Sequence, residues 1–344
     1  MIRWLFLLFA APLCALPETM CHPEIMVEGL YLHPTACDLD FVIQDSRPFN
    51  PATTPLDLPQ GDSHNIRPDF NGGVRLALGY FINCWQLRLV YTYLSTLERR
   101  TFIPMEGEGQ WPVAVHPRYT DGTPLFPPLA ATEIAPLTFA KGTSHYQTFQ
   151  LEWGRDFAPK CRLYLRSYGA LQLAYIGNAL EAFYRGTERP GEADASRYQS
   201  KSNWNRWCWG AGPLFGTTLR YTLGYNFGVG ALLQMGVMAG QTHGDIKQWI
   251  EIEATDGTPQ VTEHLDVFRR YRLLIFPFFE GKIGINYLWC CGDCFTMLIE
   301  LGYGFLSYIN SVERFTFNDQ RGTGMSSCYS FGLDGVYLQF KLQL

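Results

Sequence analysis

The last fifteen residues, Ser330–Leu344, contain the pattern that most restricts how this chain can fold. From Val336 onward apolar residues occupy every second position, and polar residues occupy the positions between them. A two-residue period with one apolar face is typical of a β-strand. A long strand with a free edge pairs readily with other chains, whereas a closed barrel has no edge. The pattern therefore favours a closing barrel strand whose polar side chains, Gln339, Lys341 and Gln343, face the interior.

The N-terminus has the features of a secretory signal peptide. Arg3 precedes the apolar run Trp4–Leu16, and the small residue Ala15 is suitable for cleavage. The run is shorter than the roughly 20 apolar residues that a membrane-spanning helix needs, and no later apolar run approaches that length. We therefore predict a signal peptide at residues 1–15 and an exported chain without a helical anchor.

The composition fits strands that are apolar on one face only. Aromatic residues make up 15% of the chain and charged residues 17%, while hydrophobic content is an ordinary 47%. The net charge is −5, and no block of consecutive basic residues occurs. These values argue against nucleic acid as a partner.

The alternating pattern recurs along the whole chain. A first strand is predicted at Ile25–His33. Four strand pairs follow, which are Asn71–Ile82 with Trp85–Leu97, His145–Asp156 with Cys161–Ile176, Trp207–Leu223 with Tyr225–Ala239, and Leu265–Trp289 with Phe295–Ile309. Each pair is joined by a few residues, which is the spacing of a hairpin.

The connections between the pairs are long, and Glu98–Ser144 alone covers forty-seven residues. Alternation of short turns with long loops is typical of outer-membrane barrels, which have short periplasmic turns and long extracellular loops. We predict an all-β, antiparallel, up-and-down transmembrane β-barrel at residues 16–344. Ten strands are counted, and further strands could be hidden at Asp38–Gln44, at Val113–Tyr119 and around Pro277, so we expect an even number of about 10 to 16.

Four sequence blocks carry a resemblance to a known family. In order along the chain they are IMVEGLYLHPTACDLDFVIQ, IRPDFNGGVRLALGYFINCWQLRLVYTYL, FQLEWGRDFAPKCRLYLRSYGALQLAYIG and WGAGPLFGTTLRYTLGYNFGVGALLQMGVMAG. They resemble successive blocks of the major outer membrane protein-like pore-forming proteins of chlamydia-like and legionella-like bacteria. The resemblance implies an outer-membrane porin of general-diffusion type and a trimeric assembly. Leu344 departs from the aromatic residue that ends many such barrels.

In a barrel, polar residues opposite the apolar face line the interior. This rule selects seven cationic and three anionic side chains as pore-lining candidates, which are Arg75, Arg88, Glu152, Arg162, Arg166, Arg220, Glu280, Lys282, Glu300 and Lys341. Fixed charges at similar depth would favour anions. Cross-lumen ion pairs without a net preference explain the same residues equally well.

The cysteines permit several interpretations. Removal of the signal peptide leaves nine, an odd number, so at least one is free or pairs with another chain. The candidates for disulfide bonds lie at predicted periplasmic turns and are Cys84, Cys161, Cys290, Cys291 and Cys294. The family resemblance implies disulfide-linked envelope proteins as partners. A zinc site at Cys290, Cys291 and Cys294 and ordinary unpaired thiols are the alternatives, although adjacent cysteines lack the usual zinc spacing.

The remaining motifs indicate neither an enzymatic site nor a cofactor-binding site. The glycines of Gly210–Gly216 are followed by a strand, not by the helix of a nucleotide-binding loop, so we interpret them as relieving crowding or permitting bending. Ser144 and His145 are adjacent but lack a nucleophile motif. Tyr and Trp residues near strand ends are expected to form an interfacial girdle, and they include Tyr80, Trp85, Trp153, Tyr175, Trp207, Tyr287 and Trp289.

The sequence therefore predicts an outer-membrane porin for small hydrophilic solutes or ions, with no enzymatic activity and no cofactor or metal. The alternative is a surface adhesin or structural envelope protein, in which the barrel is a plugged platform and the long loops carry the function. Strand number and the filling of the lumen distinguish the two hypotheses.

Overall fold

The computed structural model describes residues 23–36, 40–45, 61–66, 69–82, 85–102, 109–112, 119–120, 123–124, 129–130, 137–160, 162–188, 196–254, 259–291, 295–317 and 324–343. The predicted signal peptide and Leu344 lie outside these ranges. Within them, no helix has the length and apolar character needed to cross a membrane.

Ten long strands form the barrel. They are β1 (Pro23–Ala36), β2 (Asn71–Ile82), β3 (Trp85–Phe102), β4 (Leu137–Lys160), β5 (Leu163–Glu188), β6 (Ser196–Gly224), β7 (Phe227–Ala254), β8 (Pro259–Cys291), β9 (Phe295–Phe317) and β10 (Gly324–Gln343). Each strand pairs antiparallel with the next along the chain, and β10 pairs with β1 to close the ring.

The register of the closing pair places Val27 opposite Phe340 and Leu32 opposite Gly335. The predicted closed antiparallel barrel and the count of ten strands are therefore confirmed. Strand β8 runs through Pro277, which is exposed, and its pairing with β9 begins only at Phe278. A proline lacks a backbone donor and is tolerated where a ladder ends.

Four short strands extend the sheet beyond β5 at the end of the barrel opposite the short turns. They are Leu129–Ala130, Gly109–Pro112, Asp40–Asp45 and Gly61–Asn65, in that order of pairing. The strand expected near Asp38–Gln44 is thus present, but it belongs to this extension and not to the ring. Of Val113–Tyr119, only Tyr119 lies within the described residues, where it begins a two-residue strand.

Large apolar side chains project outward from every barrel strand and remain exposed to the surroundings. Leu78, Leu171, Ile283 and Leu301 are each at least 60% exposed. We call this outward band the apolar belt. Six of the residues predicted for the girdle are exposed on this outer face, namely Tyr80, Trp85, Trp153, Tyr175, Tyr287 and Trp289. Trp207 is partly buried against the ring of His243, at 5.0 Å.

Several strands continue well beyond the apolar belt. The segment Glu98–Ser144 was predicted to be a loop, but β3 runs to Phe102 and β4 begins at Leu137. Strand β6 likewise begins at Ser196, before the apolar alternation starts. Exposed Lys201 and Asn205 lie on the outer face there. The outer face of this part of the wall is more polar than the apolar belt, so the alternation of apolar and polar residues did not reveal it.

Two glycines of the Gly210–Gly216 segment sit where a side chain would collide with its neighbours. A Cβ at Gly212 would overlap the backbone of Val237, and a Cβ at Gly216 would overlap the ring of Tyr168. Both positions therefore require glycine for close approach, in agreement with the relief of crowding inferred from the sequence.

Candidate functional site

The barrel interior is the candidate site, and it has two layers. The charged layer lies toward the end with the short turns, the turn end, and consists of Glu24, Glu28, Arg75, Arg88, Glu152, Arg166, Arg220, Glu280, Lys282, Glu300 and Lys341. The aromatic layer lies toward the opposite end, the loop end, and consists of Tyr146, Phe276, Phe278, Tyr308, Phe331 and Leu333. The side chains of both layers alternate along each strand with those of the apolar belt. The two-residue period of a β-strand therefore produces both the inner and the outer face of the barrel.

One group of the charged layer joins β1, β2 and β8. Arg75 contacts Glu280 at 2.7 Å and Glu28 at 3.8 Å. Lys282 pairs with Glu28 and lies 3.7 Å from Glu280. Gln234 donates a further hydrogen bond to Glu280. Two cations thus neutralise two carboxylates, and all four side chains are at most 9% exposed.

A second group joins β1, β3, β4, β5 and β10. Glu24 accepts from Lys341 at 2.7 Å and lies 3.6 Å from Arg88. Glu152 lies 2.9 Å from Arg166 and 3.8 Å from Arg88. Because each carboxylate has two basic neighbours, the desolvation cost of burying these charges is offset by paired contacts.

Arg220 and Glu300 differ from the other members of the charged layer. The guanidinium of Arg220 stacks over the ring of Tyr164, 5.0 Å from its centroid, and forms no ion pair with any described residue. Glu300 accepts hydrogen bonds from Tyr337 at 2.7 Å and from Asn286 at 3.2 Å. No described cation lies within ion-pair distance of Glu300.

Nine of the ten pore-lining candidates lie in the barrel interior, and Arg162 does not. Arg162 is exposed in the turn between β4 and β5, where its carbonyl accepts from the backbone of Thr222. Alternation failed at this position because the chain leaves the strand there. Whether the nine interior side chains line a conducting pore stays a prediction.

The alternation rule also missed interior residues that it could have found. Glu24 and Glu28 are 1% exposed and alternate with the outward Ile25 and Val27 of β1. Gln150, Gln172 and Gln234 are buried inside the barrel by the same rule. The three glutamines carry no charge, and Glu24 and Glu28 lie on β1, for which no pore-lining residue was predicted.

The aromatic layer closes the interior above the charges. Its six side chains are at most 2% exposed. Tyr146 on β4 and Tyr308 on β9 approach to 3.1 Å between their hydroxyls, and Gln172 donates a hydrogen bond to Tyr308 at 2.5 Å. The Tyr308 ring lies 4.7 Å from that of Phe278, between centroids. Because β4 and β9 are on opposite walls of the ring, the contact between Tyr146 and Tyr308 crosses the full lumen.

A cavity of about 80 Å³ remains within the charged layer. It has room for roughly six water molecules. The described residues contain no cluster of His, Cys, Asp or Glu suited to a metal ion.

The side chains of the five candidate cysteines lie outside the described part of the structure. Cys84, Cys161 and Cys294 lie outside the described residues, and Cys290 and Cys291 end β8 without described side chains.

Ser144 and His145 alternate between faces: Ser144 is buried, while His145 is exposed and lies 2.9 Å from the hydroxyl of Ser95. The adjacent pair is therefore not assembled as a catalytic unit.

A family model described as Legionella pneumophila major outer membrane protein precursor matches residues 15–344. The chain belongs to this family. The match to the Legionella major outer membrane protein family covers all ten strands, and the family and the barrel together make this an outer-membrane β-barrel protein. The resemblance inferred from the four sequence blocks is thereby confirmed.

Several solved barrels are similar to this member of the family. The outer membrane protease OmpT of Escherichia coli is 10% identical, with a TM-score of 0.38 over 94% of this chain and 95% of that one. A Pseudomonas aeruginosa FadL homologue is 7% identical, with a TM-score of 0.25 over 94% and 90%. The Pseudomonas putida toluene transporter TodX is 6% identical, with a TM-score of 0.24 over 95% and 90%. A search of curated proteins finds no significant match.

Proposed function

We propose that this protein is a closed outer-membrane barrel that acts as a structural component of the envelope and as a platform for its loop end. The observation that carries the proposal is the contact between Tyr146 and Tyr308 across the lumen. Together with the buried side chains of Phe276, Phe278 and Phe331, this contact obstructs a water-filled pore at the level of the aromatic layer. The second hypothesis drawn from the sequence, a plugged barrel, is therefore the one that the geometry favours.

The size of the ring supports closure. Eight-stranded barrels are just wide enough for side chains to fill, and barrels of 16 to 18 strands leave an aqueous channel. A ring of ten strands is closer in size to the eight-stranded barrels than to the barrels with a channel. With Phe and Tyr side chains directed inward from several strands, it is filled.

The extended loop end supports the platform role. Strands β4 to β8 each contain 24 to 33 residues, whereas about 9 to 11 residues suffice to cross the membrane. Outer-membrane barrels place their short turns in the periplasm, so the extra length would project from the cell. A projecting wall with polar side chains such as Lys201 and Lys247 offers a surface for contacts outside the membrane.

A diffusion pore for small solutes or ions is the second candidate function. The observation in its favour is the charged layer, because ionisable side chains inside a membrane protein often mark an ion path. To conduct, the aromatic layer would have to move aside. The expected anion preference is weakened by the ion pairs of Glu24, Glu28, Glu152 and Glu280, which neutralise most of the interior cations.

Export by a signal peptide, assembly as a trimer and disulfide links to neighbouring envelope proteins stay predictions. Each has a direct assay. N-terminal sequencing of the mature protein tests cleavage after Ala15. Non-reducing electrophoresis and native mass measurement of the envelope protein test the other two.

Solute flux into vesicles tests the proposal. The refolded full-length chain is placed in liposomes, and swelling is followed in isotonic solutions of a pentose and of a disaccharide. We expect swelling no faster than in protein-free liposomes. A matched variant, Tyr146→Ala with Tyr308→Ala, removes the cross-lumen contact and should raise pentose uptake. Rapid swelling with the unaltered chain would overturn the closed barrel in favour of the pore.

A further inference from the structure

The cavity of the charged layer has an unequal charge lining. Six cationic side chains face it, which are Arg75, Arg88, Arg166, Arg220, Lys282 and Lys341. Three carboxylates face it, which are Glu28, Glu152 and Glu300. The two other carboxylates of the layer, Glu24 and Glu280, are not among the residues of the cavity wall. The cavity wall is therefore more positive than the layer as a whole.

Five of the six cations have a carboxylate partner, and Arg220 is the exception. Its Nε atom is buried and has no hydrogen-bond partner. Its only described contact is the face of the Tyr164 ring, which satisfies no N–H group. A buried donor of a charged group that lacks an acceptor is costly, so an acceptor is expected to come from outside the chain.

The cavity can be reached from the turn end. Arg220, Tyr164, Gln339 and Lys341 line it and are only partly buried. Arg220 lies four residues from Gly224, at the turn between β6 and β7. A solute entering from this end can therefore reach the guanidinium of Arg220.

A carboxylate on β9 contributes a negative charge near Arg220. The carboxylate of Glu300 fills the space above Gly230, where a Cβ would collide with it. Gly230 is the direct neighbour of Arg220 in the ladder between β6 and β7. Arg220 nevertheless leans the other way, over Tyr164 of β5, and leaves its N–H groups available.

We propose that this cavity binds a small oxyanion, phosphate or a carboxylate, through the guanidinium of Arg220. A guanidinium group suits both ligands because its N–H groups can donate two parallel hydrogen bonds to two oxygens of a phosphate or carboxylate. A volume of about 80 Å³ admits a single small anion and excludes a nucleotide. The site faces the turn end and does not depend on whether the barrel conducts.

Binding is measured on the full-length chain folded in detergent micelles. Inorganic phosphate and acetate are titrated in separate calorimetric experiments at low ionic strength, which distinguishes the two oxyanion classes. The unaltered chain is expected to bind at least one of them saturably. Arg220→Gln should weaken that binding about 10- to 100-fold, the range for loss of a charged hydrogen bond. Arg162→Gln removes the same charge from the exposed turn nearby and should leave the affinity within about twofold.

A second variant keeps the test decisive if Arg220→Gln does not fold. Glu300→Gln removes the like charge facing the anion and should tighten binding several-fold, whereas a structural role alone would not. No saturable binding of either anion by the unaltered chain overturns the proposal. Equal loss of binding in Arg162→Gln and Arg220→Gln also overturns it, because the effect would then come from net charge.

Discussion

The hydroxyls of Tyr146 and Tyr308 lie 3.1 Å apart although their strands, β4 and β9, stand on opposite sides of the ring. Both side chains are at most 1% exposed. A hydrogen bond across the full diameter makes the aromatic layer a packed core, comparable to the interior of a soluble domain. The barrel thus keeps its apolar surface outside and its polar and aromatic side chains within.

Tyr308→Phe should destabilise the barrel. The hydroxyl interacts with both Tyr146 and Gln172, so its removal leaves two buried polar groups without this partner. We expect a loss of about 1–3 kcal/mol in the free energy of unfolding. Urea unfolding in lipid vesicles measures it. Tyr225→Phe is the control, since Tyr225 is 98% exposed in a turn, and an equal effect of the two variants would contradict the buried contact.

Glu280→Gln should be far more costly than Glu181→Gln. Glu280 is buried between Arg75 and Lys282, and its loss leaves buried positive charge. Breaking such a pair costs about 3–5 kcal/mol. Glu181 forms pairs with Lys141 and Lys201 on the outer face, where a pair contributes about 0–1 kcal/mol. The same unfolding assay compares the variants, and similar midpoints would show that the charged layer is hydrated.

Leu301→Arg tests the outer face. Leu301 is 61% exposed within the apolar belt, so an arginine there would enter lipid. The expected cost is about 2–4 kcal/mol near the middle of the bilayer. Asn205→Arg places the same side chain on the polar extension of β6 and should change stability by less than about 0.5 kcal/mol. Equal stability of the two variants in vesicles would mean that the belt does not face lipid.

The membrane-facing part of the fold could be predicted from the sequence because lipid demands an outward apolar residue at every second position. That demand located the closing strand, which the structure pairs with β1 so that Val27 lies opposite Phe340. It ends where the wall leaves the membrane. The start of β6 at Ser196 and the end of β7 at Ala254 therefore escaped prediction, since polar residues such as Lys201 and Lys247 occupy outer positions of these extensions.

The candidate site was predicted less completely than the fold. Alternation identifies which side chains point inward, so Arg75, Glu280 and Lys341 were found. It does not identify partners around a closed ring. The pairing of Lys282 with Glu28 joins residues 254 positions apart in the chain, and the contact of Tyr146 with Tyr308 depends on which strands face each other. The filling of the lumen could therefore be recognised only from the three-dimensional structure and not from the sequence.

Single-channel recording in planar lipid bilayers tests the closed interior most directly. The refolded chain is added at 1 M salt, with the variant carrying Tyr146→Ala and Tyr308→Ala as the comparison. The account predicts no stepwise conductance from the unaltered chain and discrete steps from the variant. Regular conductance steps from the unaltered chain, at the frequency expected for its inserted amount, would contradict it.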